Sequence, residues 1–399
     1  EMTDQVLSGV KVLDLTHHIA GPYCSKLFAD YGADVIKVER PETGDPSRYE
    51  GPFPGDIAHP EKSGLFMHLN TNKFGVTLNL KDTQGIEILN KLAQDSDIII
   101  ENFRPGVLQS LGLNYDLLSQ HNPRLVLTHI SNFGQTGPYK DYKATELTAF
   151  ALGSRMGRMG EADKPPVQYA GNVIQYLTGS KGASATMFAF FGAQFQGIGQ
   201  EVDVSVQEVL AGATDSMVMG YGYTNEHPHR RESLGAGFVQ CADGYIQFPV
   251  TGGNPRMWNR LVQLLEMPEL GEDPRFLTPA LRMQNRDELS DIVMPWLMNQ
   301  NKRDIAEKAQ AIGLNATPVF DIGEVAEDHH NKERGFFVEI DHPVAGNFRY
   351  PGAPFKLQEG GWQIRRPAPL LGQHNHEIYR DKLGYTDQDI SNLESSGVI

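Results

Sequence analysis

Along the first 140 residues, short apolar runs alternate with stretches whose apolar residues recur at helical spacing. Residues 10–15 (VKVLDL), 33–39 (ADVIKVE), 76–80 (VTLNL), 97–101 (DIIIE) and 125–130 (LVLTHI) have the length and composition of buried strands. Between them, residues 23–31 follow a Gly21-Pro22 turn with helical spacing, and residues 83–93 set Ile86, Leu89 and Leu92 on one helical face. Strand–helix alternation at this spacing predicts a parallel, doubly wound α/β sheet.

After residue 144 the pattern changes. Two stretches rich in small residues, GSKGASATMFAFFGAQ and VDVSVQEVLAGATDSMV, read as helices with little strand signal. Around 223–238 the composition shifts to His, Arg and Gly (NEHPHRRESLGAG), which marks a linker into a second domain. Beyond it, 245–250 (YIQFPV) predicts a strand and 255–267, 283–299 and 302–312 predict helices. Residues 336–341 and 355–358 predict two further strands, and a last helical pattern starts at 373. A chain of 399 residues exceeds one ordinary core, in keeping with two domains.

Charge narrows the partners. Lys+Arg 35 against Asp+Glu 50 gives a net charge of −15, which argues against nucleic acid or an anionic membrane as a main partner. Phosphate ligands stay open, because they need only a few local cations. Two cysteines, Cys24 and Cys241, exclude a disulfide framework and argue against a thiolate zinc site. The N-terminus carries no signal-peptide pattern, and no apolar run reaches about 18 residues, so the expectation is a cytoplasmic protein. His17-His18, His227-x-His229, His329-His330 and His374-x-His376 lack a supporting carboxylate or cysteine pattern, and no metal site is expected. Gly153-x-x-x-Gly157-x-x-Gly160 follows a helical pattern and reads as a loop rather than a dinucleotide fingerprint.

Chemistry concentrates in the polar loops that leave the first strands. Such loops lie at the carboxyl edge of a parallel sheet, where open α/β folds bind ligands. The first is THHIAGP, whose backbone N–H groups at the following helix start suit phosphate. Arg40, after the second strand, suits a bidentate phosphate contact and equally an exposed strand exit. Residues 101–106 (ENFRPG) offer an amide, a ring and a guanidinium at one loop, suited to an adenine and a phosphate; a strand exit with a proline stop reads as well.

These segments also resemble family III CoA-transferases, the CaiB/BaiF or formyl-CoA transferase type. THHIAGP, KVERPETGD, LNTNKFGVTLNL, ENFRPGVLQSLGL, NPRLVLTHISNFGQTGPY and PLLGQHNHEIYRDKLGY carry the resemblance, in order, from about residue 7 to residue 399. It implies a Rossmann-like large domain built from 1–222 and the returning tail 333–399. A smaller α+β domain, linker included, would be inserted as 223–332, and two chains would interlock as a dimer. Coenzyme A or acyl-CoA would be substrate or ligand, with no covalently bound cofactor. By position, CoA would contact His17, His18, Ile19, Ala20, Arg40, Leu78, Lys81, Asn102, Phe103 and Lys143, with Glu146 near the reaction centre.

In active members of that family an aspartate attacks the acyl-CoA thioester to form a mixed anhydride. Its place is four residues before the glycine matching Gly179, and a gapless count through PPVQYAGNVIQYLTG puts Gln175 there. A carboxamide has no anionic oxygen for that attack. The glycine-rich loop of active members corresponds here to the short stretch 234–238 (LGAGF). The resemblance thus implies a nucleophile-lacking subunit of a heteromeric enzyme moving CoA between carboxylic acids, of the succinyl-CoA:benzylsuccinate CoA-transferase type. Its partners would be a CoA thioester and a homologous Asp-containing chain, in an interlocked homo- or heterodimer or a heterotetramer. The alternatives are a homodimeric acyl-CoA isomerase or racemase with a base among His17, His18 and Glu146, and a CoA-ester binding protein without turnover.

Overall fold

The computed structural model describes residues 4–213, 216–226 and 237–399; His227, His229 and the 234–236 part of the short glycine-bearing stretch lie outside them. The chain divides into two compact units, one of Glu1–Gly160, Pro165–Arg230 and Gly335–Ile399, the other of Glu161–Lys164 and Arg231–Arg334.

The first unit is built on a parallel sheet of β1 (Lys11–Asp14), β2 (Asp34–Glu39), β3 (Phe74–Thr77), β4 (Ile98–Glu101), β5 (Val126–Ser131) and β6 (Gln200–Ser205), in the order β3-β2-β1-β4-β5-β6. Leu13 stands in register between Ile36 and Ile99. Alternate strand residues feed two cores, as a sheet covered on both faces requires. Leu13, Ile36, Ile99 and Leu127 pack on one side with α3 (Thr83–Gln94), while Val12, Val35, Ile98, Ile100 and Val126 pack on the other against α1 (Ala20–Asp30). Shorter helices α2 (Gly64–Leu69), α4 (Val107–Ser110), α5 (Tyr115–His121) and α6 (Glu146–Leu152) fill the connections, and α7 (Val173–Gln196) lies beside α1.

Glycines set how closely α7 meets α1. A Cβ on Gly179 would lie 2.5 Å from the Ala20 carbonyl oxygen, and one on Gly182 would lie 3.4 Å from Cys24 of α1 and 3.0 Å from Ile130 of β5. The pairing of α1 with α7 therefore brings the start of α7 to the end of the first loop.

Two readings that fall in this first unit need correction. VDVSV, expected to open a helix, is the edge strand β6 paired with β5. Its β-branched valines alternate with Glu201, Asp203 and Ser205, a period of two, and the helix α8 (Val206–Gly212) starts only after Ser205, whose side chain accepts the Glu208 N–H. Residues 355–358 form no strand; the Phe355 ring stacks on Tyr31 at 5.3 Å instead. A further helix, α9 (Met217–Thr224), closes this stretch of the unit.

The second unit holds an antiparallel sheet of β7 (Phe238–Cys241), β8 (Gly244–Gln247) and β9 (Thr317–Pro318). Around it lie α10 (Pro255–Leu265), α11 (Glu269–Glu272), α12 (Pro279–Gln284), α13 (Arg286–Met298), α14 (Lys302–Ala311), α15 (Ile322–Glu327) and α16 (His329–Glu333). The single helix expected over 283–299 is thus broken at Asn285. Phe248, Trp258, Leu261, Phe276 and Leu289 form its core.

The tail returns to the first unit as the hairpin β10 (Phe337–His342) and β11 (Gly346–Pro351), then α17 (Asp387–Ser395). It is tied to β3 by the Asn375 side chain, which takes the Thr77 N–H at 2.9 Å, and by the Tyr379 hydroxyl, which donates to the Thr77 carbonyl at 2.7 Å.

Candidate functional site

The strand order reverses between β1 and β4, and the loops leaving their carboxyl ends diverge there. A cavity of about 580 Å³ occupies that edge. Leu15 and His17 after β1, Arg40 to Thr43 after β2, Leu78 to Lys81 after β3, and Phe103 after β4 wall it, and Gly397 of the tail closes one side. Arg40 and Lys81 are exposed, and among the described residues neither side chain is in an ion pair. They are cations available to an anionic ligand in an otherwise acidic protein.

Buried charges hold the first loop. The Thr16 N–H donates to Asp14 at 2.9 Å, and the His18 N–H donates to Asp45 at 3.0 Å. Lys37, fully buried, donates to the Thr16 carbonyl at 2.9 Å and to Asp45 at 2.8 Å. Lys73, also fully buried, reaches Asp14 at 2.9 Å. Burial works to raise the Asp14 carboxyl, but Lys73 and Lys37 outweigh it and hold the group at about 2. Burial likewise drives Lys73 down to about 8 against the pull of Asp14. Held by these bonds, the loop adopts a conformation in which His18 sits at φ 74°, a left-handed backbone.

Asn102 takes an unexpected part in this. Its carboxamide accepts the His17 N–H at 3.0 Å and donates to the His17 carbonyl at 2.8 Å, so it clamps the loop. The His17 ring lies 6.3 Å from Phe103, and its Nε2 is buried without a hydrogen-bond partner. Burial, then the nearby Lys37 cation, pushes this imidazole below its usual range and keeps it neutral.

Gln175 is half-buried in the first turn of α7, whose N-cap Asn172 makes no side-chain cap. The missing cap comes from α6: Glu146 accepts the Ile174 N–H at 2.9 Å through Oε1, while Oε2 is buried with no partner at hydrogen-bond geometry. Burial pushes the Glu146 carboxyl above its usual range, and the Ile174 and Gln175 amides offset this only in part. Tyr176 packs edge-on against Tyr23 at 4.9 Å, next to His68 at 6.0 Å, which burial pushes down to about 3.

The structure therefore gathers His17, Arg40, Leu78, Lys81 and Phe103 around one cavity, with Asn102 bracing its wall. Ile19 and Ala20 are buried at the start of α1, and the exposed His18 ring pairs with Glu50 at 2.7 Å. Lys143 is exposed before α6 and does not line this cavity. The supports Asp14, Lys37, Asp45 and Lys73 were not expected at the site from the sequence; a lysine inside the apolar strand DVIKVE was the available signal for Lys37. A second cavity of about 490 Å³, largely apolar, runs along α1 and α7 between Tyr23, Tyr31, Ser180, Met187, Phe188 and Phe355. Among the described residues no group of His, Cys, Asp or Glu is placed to hold a metal ion, and no helix is long and apolar enough to cross a membrane.

Residues 7–375 match the family model described as CoA-transferase family III. The formyl-CoA:oxalate CoA-transferase of Streptomyces coelicolor is 33% identical, covering 100% of both chains. The succinyl-CoA–L-malate CoA-transferase beta subunit of Chloroflexus aurantiacus is 31% identical over 98% of each. Among solved structures, a CAIB/BAIF family protein from Brucella suis superposes with a TM-score of 0.85 at 27% identity, covering 95% of this chain and 99% of that one.

Proposed function

The chain belongs to CoA-transferase family III, and on that premise we propose that it is a CoA-binding subunit of a heteromeric transferase whose nucleophile sits on a homologous chain. The observation that carries this is Gln175. It stands at the start of α7 beside Glu146, where the resemblance calls for an attacking aspartate, and an amide cannot open a thioester to a mixed anhydride. The cavity with Arg40, Lys81 and Phe103 suits the phosphates and adenine of CoA. A relative named as one subunit of a succinyl-CoA transferase supports a two-chain enzyme and favours succinyl-CoA as donor. Benzylsuccinate is the acceptor of the two-subunit type that the sequence resembles.

The proposed assembly is an interlocked pair in which 223–332 is the small domain inserted between 1–222 and 333–399. Phe188, Phe191, Phe195 and Ile198 on and just after α7 are each more than 60% exposed, an apolar surface suited to a second chain. The test is expression of this chain alone and together with an aspartate-bearing homologue. Transfer is expected only from the pair, and full activity of the lone chain would overturn the proposal. Gln175→Asp in the lone chain should yield an acyl or CoA adduct on residue 175, trapped and read by mass spectrometry.

One observation favours a second reading. Glu146 keeps a buried, unpartnered carboxylate oxygen and a raised pKa beside the reaction centre, properties of a general base for α-proton chemistry. An acyl-CoA isomerase or racemase would exchange the α-proton in deuterated water, and Glu146→Gln would abolish that exchange. Binding of CoA esters without exchange or transfer would leave the chain a binding subunit.

A further inference from the structure

We infer that Glu101 and His129 are positioning residues for the coenzyme cavity: they fix the exit of β4, where Phe103 forms one wall and Asn102 clamps the loop carrying His17. This rests on the reading of that cavity as a CoA site. Both residues are buried, at 2% and 3% exposure, in strands that are otherwise largely apolar. They stand opposite each other in register, and Glu201 of β6 reaches the same imidazole from the next strand.

The geometry is directional. His129 Nδ1 bonds Glu101 Oε1, and His129 Nε2 lies 3.2 Å from the half-exposed Glu201 carboxylate. The other oxygen of Glu101 accepts the Phe103 N–H at 2.6 Å. Burial works to lower the imidazole pKa, but Glu101 and Glu201 outweigh it and raise it, so the ring can donate through both nitrogens. Tyr115 is the further titratable group in this field, raised by burial and by Glu201. Glu101 thus faces the imidazole with one oxygen and the exit loop with the other, and a carboxylate acceptor makes a stronger bond to a backbone N–H than a neutral one.

That N–H belongs to the peptide joining Asn102 to Phe103. One carboxylate thus orients the clamp on His17 and the aromatic wall together. A pair serving sheet packing alone would be served as well by apolar side chains of similar volume, since burying charge costs desolvation. The aim of Glu101 at the exit loop is what an apolar pair could not supply.

The experiment is titration calorimetry of the full chain, in whatever assembly it forms, with CoA itself, alongside thermal melting. Glu101→Ala should weaken CoA binding about tenfold or more, equivalent to ~1.4 kcal/mol. Glu101→Gln, whose amide oxygen can still accept from Phe103, should stay within about threefold of wild type. His129→Gln should fall between them. Wild-type affinity in Glu101→Ala, or an equal loss in Glu101→Gln and Glu101→Ala, would overturn the positioning role and leave the cavity reading intact. A wild-type chain that binds no CoA would overturn both. If Glu101→Ala does not fold, His129→Gln decides: unchanged affinity overturns the role, and a loss of about fivefold at an unchanged melting temperature supports it.

Discussion

Asp14 stands at the end of β1 with no exposure, accepting from Thr16, Ser25 and Lys73. Its carboxyl is held at about 2, below its ordinary 3.8. A depressed acid contributes stability that is present above its unfolded value and lost as the pH falls through its folded one. The protein should therefore lose part of its stability between 3.8 and about 2 through this group. Asp14→Asn removes that dependence and strands Lys73 without a counter-ion, at a cost of roughly 3 kcal/mol. Urea unfolding of both proteins near neutral pH and at about pH 3 measures it. At the same scale Gln175 separates identity from place: the helix turn, its trans cap from Glu146 and the neighbouring aromatics are all present, and the anionic oxygen is what the sequence withholds.

Between elements, the close approach of α7 to α1 sets where Gln175 can be. Gly179→Ala would drive a methyl to 2.5 Å from the Ala20 carbonyl, so the helices must separate. The expected loss is about 1–3 kcal/mol, typical of overpacking. It should come with weaker CoA binding, since Ala20 ends the His17 loop; melting curves and CoA titration read the two effects. The strands that build the cavity edge were legible as apolar runs because a strand buried on both faces can hold little else. β6 was not, since an edge strand with polar alternation blends into the small-residue helices on either side. Asn102 and Glu101 were visible as residues in a loop motif, but their direction was not: which way a carboxamide turns depends on the backbone opposite it, here 85 residues away.

For the molecule as a whole, net charge −15 repels anions, and the cavity answers with two cations, Arg40 and Lys81, at the sheet edge. Arg40→Ala should weaken CoA binding about tenfold at low salt and flatten its salt dependence, because salt weakens exposed ionic interactions as the Debye length shrinks, to ~10 Å at about 0.1 M. Titration at two ionic strengths tests it, and an unaltered salt slope would remove Arg40 from the phosphate site. Residue identity and order alone were enough for the parallel α/β sheet, the family, and the absence of an aspartate at residue 175. Burial imposes a period on apolar residues, and covalent chemistry depends on the identity of one side chain. Folding in three dimensions was needed to bring Glu146 to cap α7 beside Gln175, to turn Asn102 toward the loop, and to bury Lys37, Lys73 and His129 with carboxylates. These depend on distances between segments far apart in the chain, and hydrophobic periodicity reports which face is buried, not which partner waits there.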